Sequence, residues 1–98
     1  MARVEMAPEV LEDFDRILEY QAQNKVSEGA ARIMEIVRVI DVLAHSPLIG
    51  RPKSDGKREL VIGRKARGFL ALYQYVNEID TVFVLAVRSQ REAGYARI

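Results

Sequence analysis

Apolar side chains recur along the first half of the chain with the spacing of helical faces. From Pro8 onwards they advance by three or four residues, and a second stretch of the same kind follows Ser27. The pattern predicts one helix over 8–24 and another over 27–45, with Ser27 as the N-cap of the second. Since only two or three residues link them, we expect an antiparallel hairpin. The second helix has the wider apolar surface and is expected to be the most buried element.

The last third of the chain has a different pattern, typical of strands. Three runs rich in Val, Ile, Phe, Tyr and Leu, at 58–63, 69–76 and 81–87, are separated by short polar links. Such runs between turn-forming residues predict an antiparallel meander of three strands. Asn77 to Asp80 is the predicted turn between the last two strands.

Two further segments complete the predicted fold. The alternating residues 3–6, followed by Pro8, predict a short first strand, and the proline- and glycine-rich residues 46–57 predict a loop. The fold class is therefore α+β: an N-terminal strand, a two-helix hairpin, and a three-stranded antiparallel meander in one sheet packed on the hairpin. We expect residues 1–98 to form a single domain.

Both faces of the strand predicted at 69–76 are apolar. Phe69, Ala71 and Tyr73 line one face, and Leu70 and Leu72 line the other. A free sheet face usually carries polar residues, so each apolar face predicts a covering layer. The hairpin can cover only one of them. Because no other element is expected to be long enough, the second face predicts a protein partner or a self-interface.

Composition narrows the classes of protein. The net charge of +1 hides an asymmetry, since residues 1–28 hold 7 acidic and 3 basic side chains, whereas 51–68 hold 2 acidic and 7 basic ones. No stretch is long and apolar enough for a membrane span, no signal-peptide core begins the chain, and there is no cysteine. We therefore expect a cytoplasmic protein that does not act in a membrane.

Basic residues cluster where the predicted strands end, and an aromatic follows in an arginine-rich tail. A rigid sheet with such groups at its strand ends suits a polyanion or an acidic partner. The alternative is a solvated turn that serves solubility alone. No metal-ligand spacing, phosphate-binding glycine loop or nucleophile elbow is present, so neither a cofactor nor a metal is expected. The candidate residues are Arg64, Lys65, Arg67, Arg88, Arg91 and Tyr95.

Five local segments, in chain order, carry a resemblance to a known superfamily. They are Val4 to Met6 with Pro8-Glu9; Asp13-Phe14 with Ile17 and Tyr20; Leu43 through Pro47 and Gly50-Arg51-Pro52 to Arg58-Glu59-Leu60-Val61; Gly68-Phe69 to Tyr75; and Val87 to Arg91 with Tyr95. In this order they resemble the ParE/RelE toxins of type II toxin–antitoxin systems, a group that includes plasmid stabilisation proteins. Val10 stands where alanine is usual.

The resemblance implies one of two activities. RelE-like members cleave mRNA on the ribosome without a metal, using strand lysines and arginines, whereas ParE-like members inhibit DNA gyrase by protein–protein contact. Here Glu59 and Val61 stand where the nuclease has alternating lysines, and Leu70 stands where it has an arginine. Each lost cationic contact typically lowers such a rate by about 10² to 10³. The departures favour the gyrase inhibitor, with the nuclease as the alternative.

The same candidate residues would play different roles in the two activities. For the inhibitor, all six are expected to contact the target, since arginine and tyrosine often dominate interface energy. For the nuclease, the resemblance implies that Arg91 orients the scissile phosphate, Tyr95 aligns the 2′-hydroxyl or transfers a proton, and Arg67 neutralises charge.

The resemblance also implies a cognate antitoxin. We expect it to cover the exposed apolar surface of the sheet and hairpin and to neutralise the basic patch with acidic residues. Operator DNA would then be bound only through the antitoxin. Homodimerisation through the same apolar face is the alternative.

Overall fold

A computed structural model of the chain describes residues 1–23, 28–64 and 67–97. Within them, two α-helices accompany one five-stranded sheet, in agreement with the predicted α+β class. The helices are α1 (Glu9–Gln23) and α2 (Gly29–Ile40), and a 3-10 turn, Asp41–Ala44, continues α2. The strands are β1 (Arg3–Met6), β2 (Arg51–Pro52), β3 (Lys57–Ile62), β4 (Phe69–Val76) and β5 (Thr81–Ser89).

The sheet is mixed, with the strand order β1-β5-β4-β3-β2. β3, β4 and β5 form the predicted antiparallel meander. β1 pairs with β5 in parallel, from Arg3 opposite Thr81 to Met6 opposite Val84. A parallel pair needs a long crossover between its strands, and here the two helices and the rest of the meander provide it.

One edge strand was not predicted, so the expected total of four strands is wrong. β2 lies inside the predicted loop and pairs with β3, Arg51 opposite Glu59 and Pro52 opposite Arg58. Proline is tolerated here because an edge strand can leave one side of its backbone unpaired. A strand of two residues, one of them Pro52, is too short to show an alternating pattern, so the sequence did not reveal it.

The second α-helix ends earlier than predicted. The expected end of the first helix at Asn24 and the expected N-cap Ser27 fall outside the described residues. The second helix does not remain α-helical to His45: its last residues tighten into 3-10 geometry, and the His45 amide donates to Val42 O (3.1 Å). A tightened last turn is usual where a helix stops before a proline, here Pro47.

The two helices run antiparallel, as predicted. Gly29, which begins α2, lies against Leu18 near the end of α1, and a Cβ there would come within 2.9 Å of Leu18 Cδ2. At the other end of the pair, the Ala2 amide donates to Ala44 O (2.7 Å). The residues that follow α2 therefore lie next to the N-terminus of the chain.

The core lies between the helices and one face of the sheet, called the inner face below. α1 contributes Val10, Phe14 and Ile17, whereas α2 buries only Ile36 and Ile40 completely. The prediction that the second helix is the most buried element is therefore wrong. β4 has this role, since its first five residues are all buried. α2 instead leaves part of its wide apolar surface uncovered, because Met34 is 62% exposed.

The opposite face of the sheet, the outer face, is not left open at β4. Leu70 and Leu72 point to it and are only 5% and 4% exposed. In the sheet register, Glu59 lies opposite Leu72 and Arg88 lies opposite Leu70. The Tyr95 side chain contacts both Glu59 and Arg88. Tyr95, in residues 90–97, called the tail below, therefore lies over this part of the face. The inference that only a partner could bury it is wrong, because the tail was not considered as a layer.

Candidate functional site

Tyr95 in the tail is held against the outer face by a buried carboxylate. Its hydroxyl donates to Glu59 Oε2 (2.7 Å), and the Arg88 guanidinium lies 5.1 Å from the centre of its ring. The other Glu59 oxygen accepts from Arg51 Nη2 (2.8 Å) across the β2–β3 pair. Tyr95, Glu59 and Arg51 form one chain of hydrogen bonds, the outer-face triad, which ties the tail to the sheet edge.

The protonation states of the triad follow from its partners. Burial raises the pKa of Glu59, but hydrogen bonds from Tyr95 and Arg51 and the nearby Lys53 charge outweigh burial, so the pKa lies below its ordinary value. Burial, and then the hydrogen bond to the Glu59 carboxylate, raise the pKa of Tyr95 far above its usual range. At neutral pH the pair is therefore a phenol donating to a carboxylate.

A second buried carboxylate joins the helical layer to the tail. Asp13 of α1 is 1% exposed and receives two bonds from Arg97, Nη1 to Oδ1 (2.8 Å) and Nη2 to Oδ2 (3.0 Å). Arg16 Nη1 donates to the same Oδ1 (2.8 Å), and the Val87 amide donates to Oδ2 (3.0 Å). Burial alone would raise the pKa of Asp13, but these donors hold it below its ordinary value.

These charged groups also close an open edge of the sheet. β1 ends at Met6, so the backbone of β5 beyond Val84 has no strand on that side. Side chains form hydrogen bonds with this part of the β5 backbone instead: Arg97 donates to Leu85 O (2.6 Å), and Arg16 donates to Val87 O (3.2 Å). Glu92 Oε2 accepts from the Ser89 amide (2.8 Å). An open edge is a template for pairing with another chain, and here the tail and α1 block it.

A cleft of about 340 Å³ opens on the inner side, between the helices and the ends of β4 and β5 nearest the 64–68 link. It has an apolar floor, hydroxyl groups and three guanidinium groups. One of these, Arg91, has Nη1 3.3 Å from the Tyr20 hydroxyl. We call it the arginine cleft; its lining residues are Ile17, Tyr20, Gln21, Arg32, Arg67, Phe69, Ser89 and Arg91.

The structure separates the predicted site residues into two groups. Arg67 and Arg91 line the arginine cleft on the inner side, whereas Arg88 and Tyr95 lie together on the outer face. Arg64 is exposed at the link after β3, and Lys65 lies outside the described residues. The three residues assigned to nuclease chemistry, Arg67, Arg91 and Tyr95, are thus not brought to one point.

Sequence reasoning missed the residues that hold these sites together. Asp13 falls in phase with Val10, Phe14 and Ile17, and that spacing could have indicated a buried carboxylate. Arg32 gave no signal, because it lies far from the other cleft arginines in sequence. Glu59 was noted only as a departure from the nuclease pattern.

No group of three or more histidine, aspartate or glutamate side chains in the described ranges could hold a metal ion. No helix within these ranges is long and apolar enough to cross a membrane.

Comparison with known proteins identifies the family to which most of the chain matches. The family model of the ParE toxin of the type II toxin–antitoxin system parDE matches residues 4–94. Comparison with curated protein sequences finds no significant match.

Solved structures share the fold at low sequence identity. The chromosomal ParDE system from P. aeruginosa is similar with a TM-score of 0.73 and 19% identity, covering 91% of this chain and 96% of that one. A mutant of the E. coli toxin RelE in the free state gives 0.66 and 16%, covering 93% and 86%. The intact E. coli RelBE toxin–antitoxin complex gives 0.59 and 16%, covering 94% and 100%.

These likenesses establish the fold, and the family match extends over nearly the whole sheet and both helices. The chain belongs to the ParE toxin family of type II toxin–antitoxin systems.

Proposed function

We propose that this toxin inhibits DNA gyrase by protein–protein contact and is not a ribosome-dependent nuclease. The observation that carries the proposal is the buried Glu59 carboxylate on the outer face, bonded to Tyr95. Catalysis of RNA cleavage needs positive charge where negative charge develops on phosphorus. A carboxylate next to the tyrosine would repel the phosphate instead.

The state of Tyr95 supports the same conclusion. A general acid or base works best when its pKa is near the operating pH, whereas burial, and then the hydrogen bond to Glu59, move the pKa of Tyr95 further above neutrality. In addition, Arg91 lines the cleft on the other side of the sheet, so it is not placed to act on one phosphate together with Tyr95. Both features suit residues that hold the tail and contact a protein.

The exposed arginines provide the surface for the target. Arg64, Arg67 and Arg91 are all exposed and flank the same end of the sheet, and Arg88 and Tyr95 are half-buried on the outer face. Arginine and tyrosine often dominate the energy of protein interfaces. Together with Lys65, these residues are the proposed target-contacting set.

We also propose a cognate antitoxin that binds operator DNA and brings this chain to it. The similar E. coli structure is a toxin–antitoxin complex. On this chain, Leu11 and Met34 on the two helices are 67% and 62% exposed, and such apolar side chains are suited to a partner helix or strand. The net charge of +1 gives the chain little attraction of its own for DNA.

Induction in cells tests the activity. Tyr95→Phe keeps the ring and removes only the hydroxyl that a nuclease would need. We expect the wild type to cause a DNA damage response and filamentation with intact mRNA. Tyr95→Phe, which keeps the ring but loses one contact of the target-contacting set, should weaken this response without abolishing it. Arg38→Ala, at an exposed position of α2 outside both sites, is the matched control.

The nuclease alternative predicts a different result. Rapid cleavage of translated mRNA by the wild type, abolished by Tyr95→Phe while the damage response stays silent, would establish the nuclease and refute the gyrase proposal. Expression from a tightly repressed promoter keeps the host viable before induction.

A further inference from the structure

Two adjacent aliphatic side chains are exposed on the loop before β2. Leu48 is 57% exposed and Ile49 is 58% exposed. Single apolar residues on a protein surface are common, but two neighbouring ones with this exposure form a patch that favours burial against a partner. Neither side chain belongs to the core. We call Leu48 and Ile49 the loop patch.

Hydrogen bonds fix the backbone that carries the loop patch. Arg58 Nη1 of β3 donates to Leu48 O (3.0 Å) and to Gly50 O (2.8 Å). The Gly50 amide donates to the hydroxyl of Tyr73 (2.8 Å), a residue with no exposed surface. A Cβ at residue 50 would lie 2.6 Å from Tyr73 Cε1, so only glycine fits there. The loop is therefore anchored to β3 and β4, while its two aliphatic side chains stay outside.

This anchoring favours binding. Association costs conformational freedom, and a loop that is already ordered has little left to lose. Burial of one leucine or isoleucine side chain at an interface is typically worth about 10-fold to 100-fold in affinity. The loop patch thus offers two preorganised apolar contacts to a partner.

The residues that follow the loop patch are rich in positive charge. Residues 51–59 hold four basic and two acidic side chains, and one of the acidic ones, Glu59, is buried and bonded to Arg51. Arg58 donates to carbonyl groups, which do not neutralise its charge. A complementary partner surface is apolar where it meets the loop patch and carries carboxylates beside it. The four basic residues are Arg51, Lys53, Lys57 and Arg58.

Other occupants match these features less well. A second copy of the chain in a two-fold pair would bring the same basic residues against each other. A nucleic acid would use the positive charges but leave the two aliphatic side chains in water. The antitoxin already has a candidate surface on the helices, at Leu11 and Met34.

We propose that Leu48 and Ile49 anchor the toxin to DNA gyrase, by entering an apolar depression of gyrase that is flanked by carboxylates. The inference rests on the proposed function, since it names a surface through which gyrase is held. The outer-face triad leads from Tyr95, a member of the target-contacting set, through Glu59 to Arg51. Arg51 is two residues from Ile49 in the chain, so one interface can include both the tail and the loop patch.

Inhibition of gyrase supercoiling by the purified full-length toxin, measured over a range of toxin concentrations, tests this surface. We expect Leu48→Gln and Ile49→Gln each to raise the concentration for half inhibition about 10-fold to 100-fold, because each variant loses an apolar contact and keeps a side chain of similar length. Ile49→Val should stay close to the wild type. Ile79→Gln is the matched control: Ile79 lies on the turn between β4 and β5, is 60% exposed, and should tolerate the change.

The positive charge beside the loop patch has a separate signature. Lys53→Gln should raise the concentration for half inhibition about 3-fold at low salt, and the difference should shrink as salt is added, since exposed charges at an interface are screened. Leu48→Gln should keep its deficit at high salt. A Lys53→Gln toxin that equals the wild type at low salt would contradict the flanking carboxylates on gyrase.

The outcomes separate the loop patch from the proposed function. A wild-type toxin that leaves gyrase active would overturn both. Inhibition by Leu48→Gln and Ile49→Gln that equals inhibition by the wild type would overturn the loop patch alone.

Other occupants would be revealed by the same two variants. If they inhibit gyrase normally but lose affinity for the antitoxin or for a short polyuridine RNA, the loop patch binds that molecule and the proposal is wrong. If the wild type sediments as a dimer, and the variants are monomers that still inhibit gyrase, the occupant is a second copy. Thermal melting should show unchanged folding in each variant, because both side chains are exposed.

Discussion

Two groups of arginines in this chain have the same chemistry and opposite environments. Arg16, Arg51 and Arg97 bond to Asp13 or Glu59, both buried, and complete a sheet edge or hold the tail. Arg32 and Arg67 line a cleft whose described lining contains no carboxylate, and the Glu35 carboxylate is 4.0 Å from Arg32. The comparison teaches that counting basic residues does not locate a binding site. What distinguishes the two groups is how closely the fold supplies a carboxylate to each guanidinium group.

The largest effect on stability is expected from removing a buried carboxylate that accepts hydrogen bonds from arginines. Asp13→Ala would leave Arg97, Arg16 and the Val87 amide without their acceptor in a buried setting. Removing one partner of a buried pair typically costs about 3 to 5 kcal/mol, so we expect a loss of this size in the free energy of unfolding. Urea denaturation measures it, with Asp15→Ala, at an exposed position of the same helix, as the control. A loss below about 1 kcal/mol would show that the Asp13 cluster does not hold the tail.

Acidification should reproduce part of that loss in the unmodified chain. The folded-state pKa values of Asp13 and Glu59 are both lowered, so both carboxylates stabilise the fold above the pKa of the unfolded chain. This stabilisation disappears as the pH falls through the lower folded-state values. We expect the free energy of unfolding to fall with decreasing pH below about 4, and the fall to be shallower in Glu59→Gln. An identical pH profile in that variant would exclude a contribution from Glu59.

A smaller loss of stability is expected when the Tyr95 hydroxyl of the outer-face triad is removed. Tyr95→Phe removes the donor to Glu59 Oε2 but leaves Arg51 on the other oxygen. Loss of one hydrogen bond to a buried charged group typically costs about 1.5 to 3 kcal/mol. Thermal melting should detect the lower stability, and protease digestion should release the tail earlier. Tyr75→Phe, whose hydroxyl bonds Asp80 on an exposed turn, is the matched control and should have a smaller effect.

The smallest effect on stability is expected in the arginine cleft. Arg67→Gln removes a charge that has no ion-pair partner among the described residues, so we expect the free energy of unfolding to change by less than about 0.5 kcal/mol. Melting curves of Arg67→Gln and Arg97→Gln, measured side by side, give the direct contrast, since Arg97 holds Asp13 and the backbone of β5. Equal destabilisation of the two variants would remove the distinction between the two arginine groups.

Much of the fold could be predicted from periodicity. The spacing of Val10, Phe14 and Ile17 identifies α1, and the β-rich runs identify the meander, because local burial patterns decide these elements. The parallel pairing of β1 with β5 and the two-residue β2 could not be read in the same way. They depend on contacts between residues far apart in sequence.

The sites were less accessible to sequence reasoning for the same reason. The basic cluster was found, yet whether an arginine is compensated depends on partners such as Asp13 and Arg97, which are 84 positions apart. The tail was not counted as a covering layer, although Tyr95 lies over the outer face. Only the fold shows that Arg88 and Arg91, three positions apart, serve different sides of the sheet.

The most direct test of the proposed activity uses purified components. The toxin, separated from its antitoxin, is added to DNA gyrase in a supercoiling assay and, in parallel, to ribosomes translating a defined mRNA. We predict loss of supercoiling by gyrase, reversed when the antitoxin is restored, with the mRNA intact. Full gyrase activity together with cleavage of the translated mRNA would contradict the account.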